Sequence, residues 1–325
     1  MTTGLAAADL AILARTLRDA DAFGGKRRIS AAAGVFASLA RDFGIRNGDD
    51  AAVIPQGDGF LLLAAEGIVT ELVRSRPRLA GACAVVANVN DIYAMGGRPL
   101  AMVDVVGAPG DDEVLEMCRG MRACAERYRV PVVGGHLLRT QGDVSLAVAI
   151  LGKAKRCITS FDARPGDRLL LVRRRRGRPV EGFGFWNCTL PEDDGALPGD
   201  LELLPACAEA ELVSAGKDVS MGGVAGTAVM LAESSRIGLR IDLDALDVPE
   251  GYTMDRWLLA FLSYGFLLAV DPGKLPRVVD VFEGRGVSAV PIGEFLGEPV
   301  VWLESRGVRE PLWDLGREPF AGGGS

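Results

Sequence analysis

The chain has 325 residues, 36 of them basic and 43 acidic, for a formal net charge of −7, and 49% are hydrophobic. That length accommodates two domains, and that apolar share can fill their cores. An acidic chain gains nothing from counterion release, which argues against nucleic acid, and no run of about 18 apolar residues is present to span a bilayer.

Apolar residues at helical spacing (Leu5, Leu10, Leu13, Leu17) predict an amphipathic helix at the start. The following Phe23-Gly24-Gly25-Lys26-Arg27-Arg28 reads as a mobile glycine-rich loop, and 31–41 as a short helix. Turn residues at 47–50 lead into a β-branched run, placing Asp49 and Asp50 at a strand entrance. Residues 59–65 and 101–106 read as strands and 78–96 as a helix dense in small residues. The acidic start at Asp111, Asp112 and Glu113 favours a helix dipole, so a further helix is expected there. A strand over 130–133 should end in Gly134-Gly135-His136, and 144–152 should close the first half.

The second half repeats the mixture. Strands are expected over 168–172, 238–243, 265–270 and 287–292, with helices over 201–215, from Gly222-Gly223 to Ser235, and to Phe282 after Asp271-Pro272. Residues 177–199 read as a long loop, in which Trp186 could either contact a ring substrate or pack. The basic run 173–176 reads as a solvated strand end. Mixed elements without strict alternation give an α+β fold of two domains, 1–160 and 161–320, with 321–325 as a disordered tail. The six cysteines form no CxxC pair and read as free thiols of a reducing cytoplasm. No basic-then-apolar leader is seen, which also points to a cytoplasmic location.

Four clusters could carry chemistry. Adjacent carboxylates at Asp49-Asp50 repel, and Mg²⁺ bound through carboxylates and phosphate oxygens would relieve that, although such a sequence also makes an ordinary turn. Asn88 and Asp91 share a helix face inside an apolar stretch, as a polar core pair or as site residues. Gly134-Gly135 lets backbone N–H groups approach an anion, and His136, the only histidine, excludes a multi-histidine metal site. Lys217-Asp218-Val219-Ser220-Met221-Gly222-Gly223 opens a helix whose free N–H groups could take a phosphate or simply be capped. No P-loop, GxGxxG or GxSxG is present.

In this order the clusters resemble the aminoimidazole ribonucleotide (AIR) synthase-like superfamily, which includes thiamine-monophosphate kinase, the hydrogenase maturation carbamoyl dehydratase, selenophosphate synthetase and formylglycinamidine synthase. The resemblance is carried by GDDAAVI at 48–54, NVNDIYAMGGRP at 88–99, GGH at 134–136, GD at 166–167, KDVSMGG at 217–223 and VSAVPIGEF at 287–295. It implies a two-domain fold in which the N-terminal strands of two chains form a dimeric barrel, with a C-terminal α/β sandwich domain. It also implies ATP and Mg²⁺ as cofactors, a small-molecule substrate phosphorylated on an oxygen, and a homodimer, while composition already argues against nucleic acid and membrane partners. Carried over, Asp49, Asp50, Glu66, Asp91 and Asp218 are expected to hold metal, with Asp91, His136 and Asp218 catalytic. Gly24, Gly25, Lys26, Asp49, Asp50, Asn88, Gly134, Gly135 and Lys217 are expected to bind the nucleotide.

Departures narrow the expectation. Ala65-Glu66 stands where many relatives have Thr-Asp, His136 where they often have an acid, and Met221 where they have a further carboxylate. No catalytic cysteine stands in 24–28, against selenophosphate synthesis, and no cysteine tail is present for carbamoyl transfer. The chain looks most like a synthase-related branch. A non-catalytic ligand-binding paralogue acting with a partner enzyme and a simple monophosphate kinase are the alternatives.

Overall fold

The computed structural model describes residues 5–29, 35, 45–189 and 195–322. Apart from Val35, the helix expected over 31–41 lies outside the described residues. The chain forms two compact units, a larger one from Met1–Asp49, Ile158–Cys188 and Ala210–Ser325 and a smaller one from Asp50–Cys157 and Thr189–Glu209. This division places residues 1–49 and 189–209 differently from two consecutive domains.

In chain order, α1 (Ala7–Arg18) and α2 (Asp21–Arg27) open the larger unit. The smaller unit follows with β1 (Ala52–Gln56), β2 (Gly59–Gly67), α3 (Thr70–Ser75), α4 (Pro77–Ala94), β3 (Arg98–Ala108), α5 (Asp111–Tyr128), β4 (Val132–Arg139) and β5 (Ser145–Ala154). Then come β6 (Arg168–Arg174), β7 (Arg178–Pro179) and β8 (Phe185–Asn187) of the larger unit, and α6 (Leu197–Leu201) and α7 (Leu203–Glu209) of the smaller. The rest is larger unit: β9 (Ala215–Asp218), α8 (Gly223–Ser235), β10 (Gly238–Asp242), α9 (Met254–Leu258), β11 (Phe261–Leu262), β12 (Gly265–Val270), α10 (Leu275–Glu283), β13 (Val287–Leu296), β14 (Val300–Ser305) and β15 (Val308–Asp314).

The smaller unit is a five-stranded sheet in the order β1-β2-β5-β3-β4. Only β3 and β4 run parallel, as a strand–helix–strand crossover through α5 requires. Alternation along the strands gives the sheet two apolar faces. Leu62, Ala64, Met102, Val106, Val148 and Ile150 are buried on one side, while Leu63, Val103, Val105 and Leu151 stay exposed on the other. α4 is buried around nearly its whole girth, which explains its continuous run of small apolar residues. It packs on α5 at two glycines. A Cβ at Gly81 would stand 2.1 Å from the Met117 carbonyl oxygen, and one at Gly120 would stand 1.9 Å from that of Arg78. Residues 197–209 are tied to the unit by Arg98, which pairs with Glu202 at 2.8 Å and Glu209 at 2.7 Å.

The larger unit holds a seven-stranded sheet, β15-β14-β10-β13-β6-β12-β9, and a small sheet, β11-β8-β7. Its core gathers α8, α1 and the sheet interior around Trp257, Leu267, Phe295 and Leu239. The predicted amphipathic helix is α1, with Leu10, Leu13 and Leu17 buried.

The expected loop at 23–28 is instead the helix α2. Phe23 is fully buried, its ring 5.0 Å from Phe320 and 6.2 Å from Trp313. Burying one phenylalanine contributes roughly 1.5–3 kcal/mol, which offsets the roughly 1 kcal/mol that each of Gly24 and Gly25 costs a helix. Other differences have equally local causes. GGH lies inside β4, not after it, because β3 supplies a parallel partner as far as Arg139. The expected helix over 201–215 is the pair α6 and α7, and Ala215 already belongs to β9, paired with β12. Of residues 177–199, Arg178–Pro179 and Phe185–Asn187 are the strands β7 and β8, Leu197 opens α6, and 190–194 lie outside the described residues. The start of the expected tail is docked: Ala321 is buried, and its N–H donates to Glu233 at 2.8 Å. Trp186 packs edge-on against Trp257 and Tyr252, each at 5.6 Å. Within the basic run, Arg173 is buried beside Asp247 at 3.0 Å, unlike a solvated strand end. None of the six cysteines forms a disulfide.

Candidate active site

The smaller unit brings two of the expected acids together. Asp50 lies in the bend at 48–51, where Gly48 has φ +106°, and stands two residues before β1. Asp91 occupies the last turn of α4. A carboxylate oxygen of Asp50 and one of Asp91 lie within 4.8 Å of each other, and Asp91 is only 5% exposed. Two carboxylates this close repel where one is buried, and a shared cation relieves the repulsion. The donor set is all hard oxygen, with no histidine or thiol, which fits Mg²⁺ rather than a soft metal.

Asn88 sits one turn earlier on α4, fully buried. Its amide nitrogen donates to the Ala84 carbonyl at 2.8 Å, and its side-chain oxygen has no hydrogen-bond partner among the described residues. Asn90 is also fully buried, so the NVND segment puts three polar side chains into an apolar helix. Tyr93, on the same helix, has its hydroxyl pushed up to about 12 by burial first and by Glu202 next.

Glu66 is exposed near the end of β2, across from Val148. Gly134, Gly135 and His136 lie on the edge strand β4, all exposed, with His136 beside Val105 of β3. His136 thus shares the uncovered apolar face of the sheet with Val103 and Val105, and the sequence alone could not show which face it takes.

Asp49 and Asp50 part company despite being neighbours. In the larger unit, Asp49 accepts a hydrogen bond from the Ser160 backbone N–H at 2.9 Å. Lys217 and Asp218 form the buried end of β9, paired with Leu267 and Phe266. The chain then turns through Ser220 into α8, whose first residue, Gly223, has φ +62°. Any Cβ there would meet the Leu258 carbonyl oxygen at 2.2 Å, so glycine is obligatory. Lys26 of α2 reaches Ser220, Nζ to Oγ 3.1 Å, bringing a cation to the start of α8. Lys26 and Ser220 are 194 residues apart, and no local signal could pair them. A Cβ at Gly24 or Gly25 would meet nothing within 4 Å, so both glycines face open space. Among the described residues, no helix is long and apolar enough to cross a membrane.

Residues 48–154 match the family described as AIR synthase related protein, N-terminal domain, and residues 164–303 match its C-terminal domain. The chain belongs to the AIR synthase-related family. The N-terminal match begins at Gly48, so Asp49-Asp50 opens that domain. The C-terminal match begins at the turn 164–167, where the Asp167 carboxylate accepts from the Arg164 N–H at 3.0 Å.

Among family relatives, the uncharacterized protein sll0787 of Synechocystis sp. is 44% identical, over 86% of this chain and 87% of its own length. A thiamine-monophosphate kinase of Synechococcus elongatus is 25% identical, over 79% of this chain and 86% of its own. The solved structure of T. maritima PurL complexed with ATP superposes with a TM-score of 0.68 at 20% identity, over 85% of this chain. The chain spans 46% of that PurL chain, so the likeness is one of fold. The expected two-domain AIR synthase-like architecture is thereby met.

Proposed function

We propose that this AIR synthase-related protein binds ATP with Mg²⁺ and phosphorylates an oxygen of a small metabolite. The observation that carries the reading is the approach of the Asp50 and Asp91 carboxylates to within 4.8 Å in a family whose relatives include a thiamine-monophosphate kinase. Bound there, Mg²⁺ would neutralise charge on the triphosphate and polarise the transferring phosphoryl group. The protein's own contribution is positioning. Asp50 and Asp91 would hold the cation, and Asn88 would fix the helical turn that presents Asp91. In the larger unit, Lys26 and the open N-terminus of α8 offer a cation and backbone N–H donors suited to phosphate oxygens.

The family motif adds Asp218 as a further acid, Glu66 and Asp49 as additional metal candidates, and His136 and Lys217 as site residues. Each of these assignments rests on the motif and is tested by its own substitution. Phosphoryl transfer of this kind needs little covalent chemistry from the protein, so charge neutralisation and alignment would supply most of the rate. The exposed face carrying Leu63, Val103, Val105 and Leu151 supports a homodimer built sheet to sheet.

Calorimetry with Mg²⁺ and a non-hydrolysable ATP analogue tests the reading. Binding is expected for the wild type, with a loss of about 10-fold or more in Asp50→Asn and Asp91→Asn, since even indirect supports of a metal site are worth 10–100-fold. ADP release dependent on an added metabolite would then identify the acceptor. No nucleotide binding in the presence of Mg²⁺ would overturn the proposal.

A further inference from the structure

The smaller unit contains a groove of about 610 Å³ that none of the residues assigned to nucleotide or metal lines. It lies on the helix-covered side of the sheet, between α5 and the start of β4. One wall is α5, through Cys118, Met121, Arg122, Ala125 and Glu126; the other is the run Val130, Pro131 and Val132. From Cys118 to Glu126 the helix rises about 12 Å, so the groove is elongated. Its volume falls in the range of small-molecule sites, about 300–1,000 Å³.

Its two ends differ chemically. Asp104 of β3 stands at the Cys118 end, and among the described residues its carboxylate has no hydrogen-bond or ion-pair partner. The neighbouring strand makes room for it. Gly135 faces Asp104 across the β3–β4 ladder, and a Cβ there would stand 2.1 Å from the Asp104 carboxylate oxygen. Burial raises the Asp104 carboxyl above its ordinary value, and burial followed by the Asp104 charge raises the Cys118 thiol. Along the rim, Arg122 is neutralised by Glu126 at 2.8 Å. Arg129 marks the other end, where it caps α5 in the left-handed conformation at φ 56°. The middle, Met121, Ala125 and Val130, is apolar. A half-buried acid at one end, an arginine at the other and an apolar path between them define the complementary shape.

We propose that this groove binds an elongated small molecule with a primary amine at Asp104, an apolar chain along α5 and an anionic end at Arg129. Such a ligand replaces lost hydration at Asp104 with a charge-assisted hydrogen bond while covering apolar surface. The site is independent of the nucleotide reading and survives its failure.

8-Aminooctanoate serves as the probe, with octanoate and octylamine as single-ended controls. Calorimetry on the full chain should show binding of 8-aminooctanoate, weakened about 10-fold or more by Asp104→Asn and by Arg129→Gln, the size of one lost charge-assisted hydrogen bond. Each control should bind more weakly than the probe. A second measurement needs no variant: the probe should slow alkylation of Cys118 by N-ethylmaleimide, followed by peptide mass spectrometry. Absence of both binding and protection overturns the site, as does binding that Asp104→Asn leaves unchanged.

Discussion

Asp91 stands where a helix least favours it. The last turn of a helix carries partial negative charge, α4 has no basic residue in that turn, and the carboxylate is buried with Asp50 nearby. A cation bound there relieves all three penalties at once, and ligand binding to the native state alone raises stability by mass action. Mg²⁺ at 100 times its dissociation constant would add about 2.7 kcal/mol, several degrees in melting temperature for a unit of this size. Differential scanning calorimetry should therefore show an upward shift with Mg²⁺ before any nucleotide is added, absent in Asp91→Asn. An equal shift in the variant would remove Asp91 from the cation site. Asp104 gives a second prediction, with the opposite dependence on charge. Its carboxyl is raised by burial, so the native state holds its proton more tightly than the unfolded chain does. Stability from this group is full below the unfolded value of 3.8 and falls as pH rises through the higher folded value. Asp104→Asn should remove that fall, giving a melting temperature at neutral pH at or above that of the wild type and no advantage below pH 3.8. Partial exposure keeps the effect small.

Helix packing in the smaller unit sets two glycine effects against each other. Gly120→Ala improves helix propensity by about 1 kcal/mol, yet its new methyl would meet the Arg78 carbonyl oxygen at 1.9 Å. Forcing extra volume into a packed contact costs typically 1–3 kcal/mol, so the packing term wins. Denaturant titration should show Gly120→Ala less stable than the wild type; a more stable variant would show that α4 and α5 can part without cost. The same contest between local propensity and packing decides which elements could be read from sequence. α5 was legible from its helical apolar periodicity, and α4, β2 and β5 from long, nearly unbroken apolar runs. α2 was not, because Gly24 and Gly25 argue for a loop until Phe23 is seen against Trp313 and Phe320. The hairpin β14–β15 received no expectation, although its signal is present: Arg306-Gly307, with φ values of +49° and +76°, forms the two-residue turn between alternating strands. At the site, the acidic motif marked Asp50 and Asp91. The hydrogen bond that draws Asp49 to Ser160, and the reach of Lys26 to Ser220, span 111 and 194 residues and leave no local trace.

At the scale of the whole molecule, the question is what covers the open face of the five-stranded sheet. Val103 is 45% and Val105 43% exposed, on β3 one strand in from the edge, and Leu63, Leu151 and Leu138 flank them. An apolar face of this kind marks an interaction surface, and the partner proposed for it is a second copy. Charge at its centre separates the two possibilities. In a monomer, Val105→Asp would place a carboxylate at a position that water already reaches, with little effect on folding. In a dimer packed sheet to sheet, the same carboxylate would be buried without a partner, and uncompensated buried charge costs about 3–5 kcal/mol. Two copies of the substitution meet across a symmetric interface, so the dimer should weaken by at least about 100-fold. Sedimentation velocity is expected to show a wild-type dimer and a Val105→Asp monomer at the same micromolar concentration, with matching circular dichroism confirming that the sheet still forms. A wild-type monomer throughout that range would leave the face for another partner. If the family's dimeric barrel forms, nucleotide binding by Val105→Asp should weaken together with dimerisation. If it does not, binding should persist unchanged in the monomer.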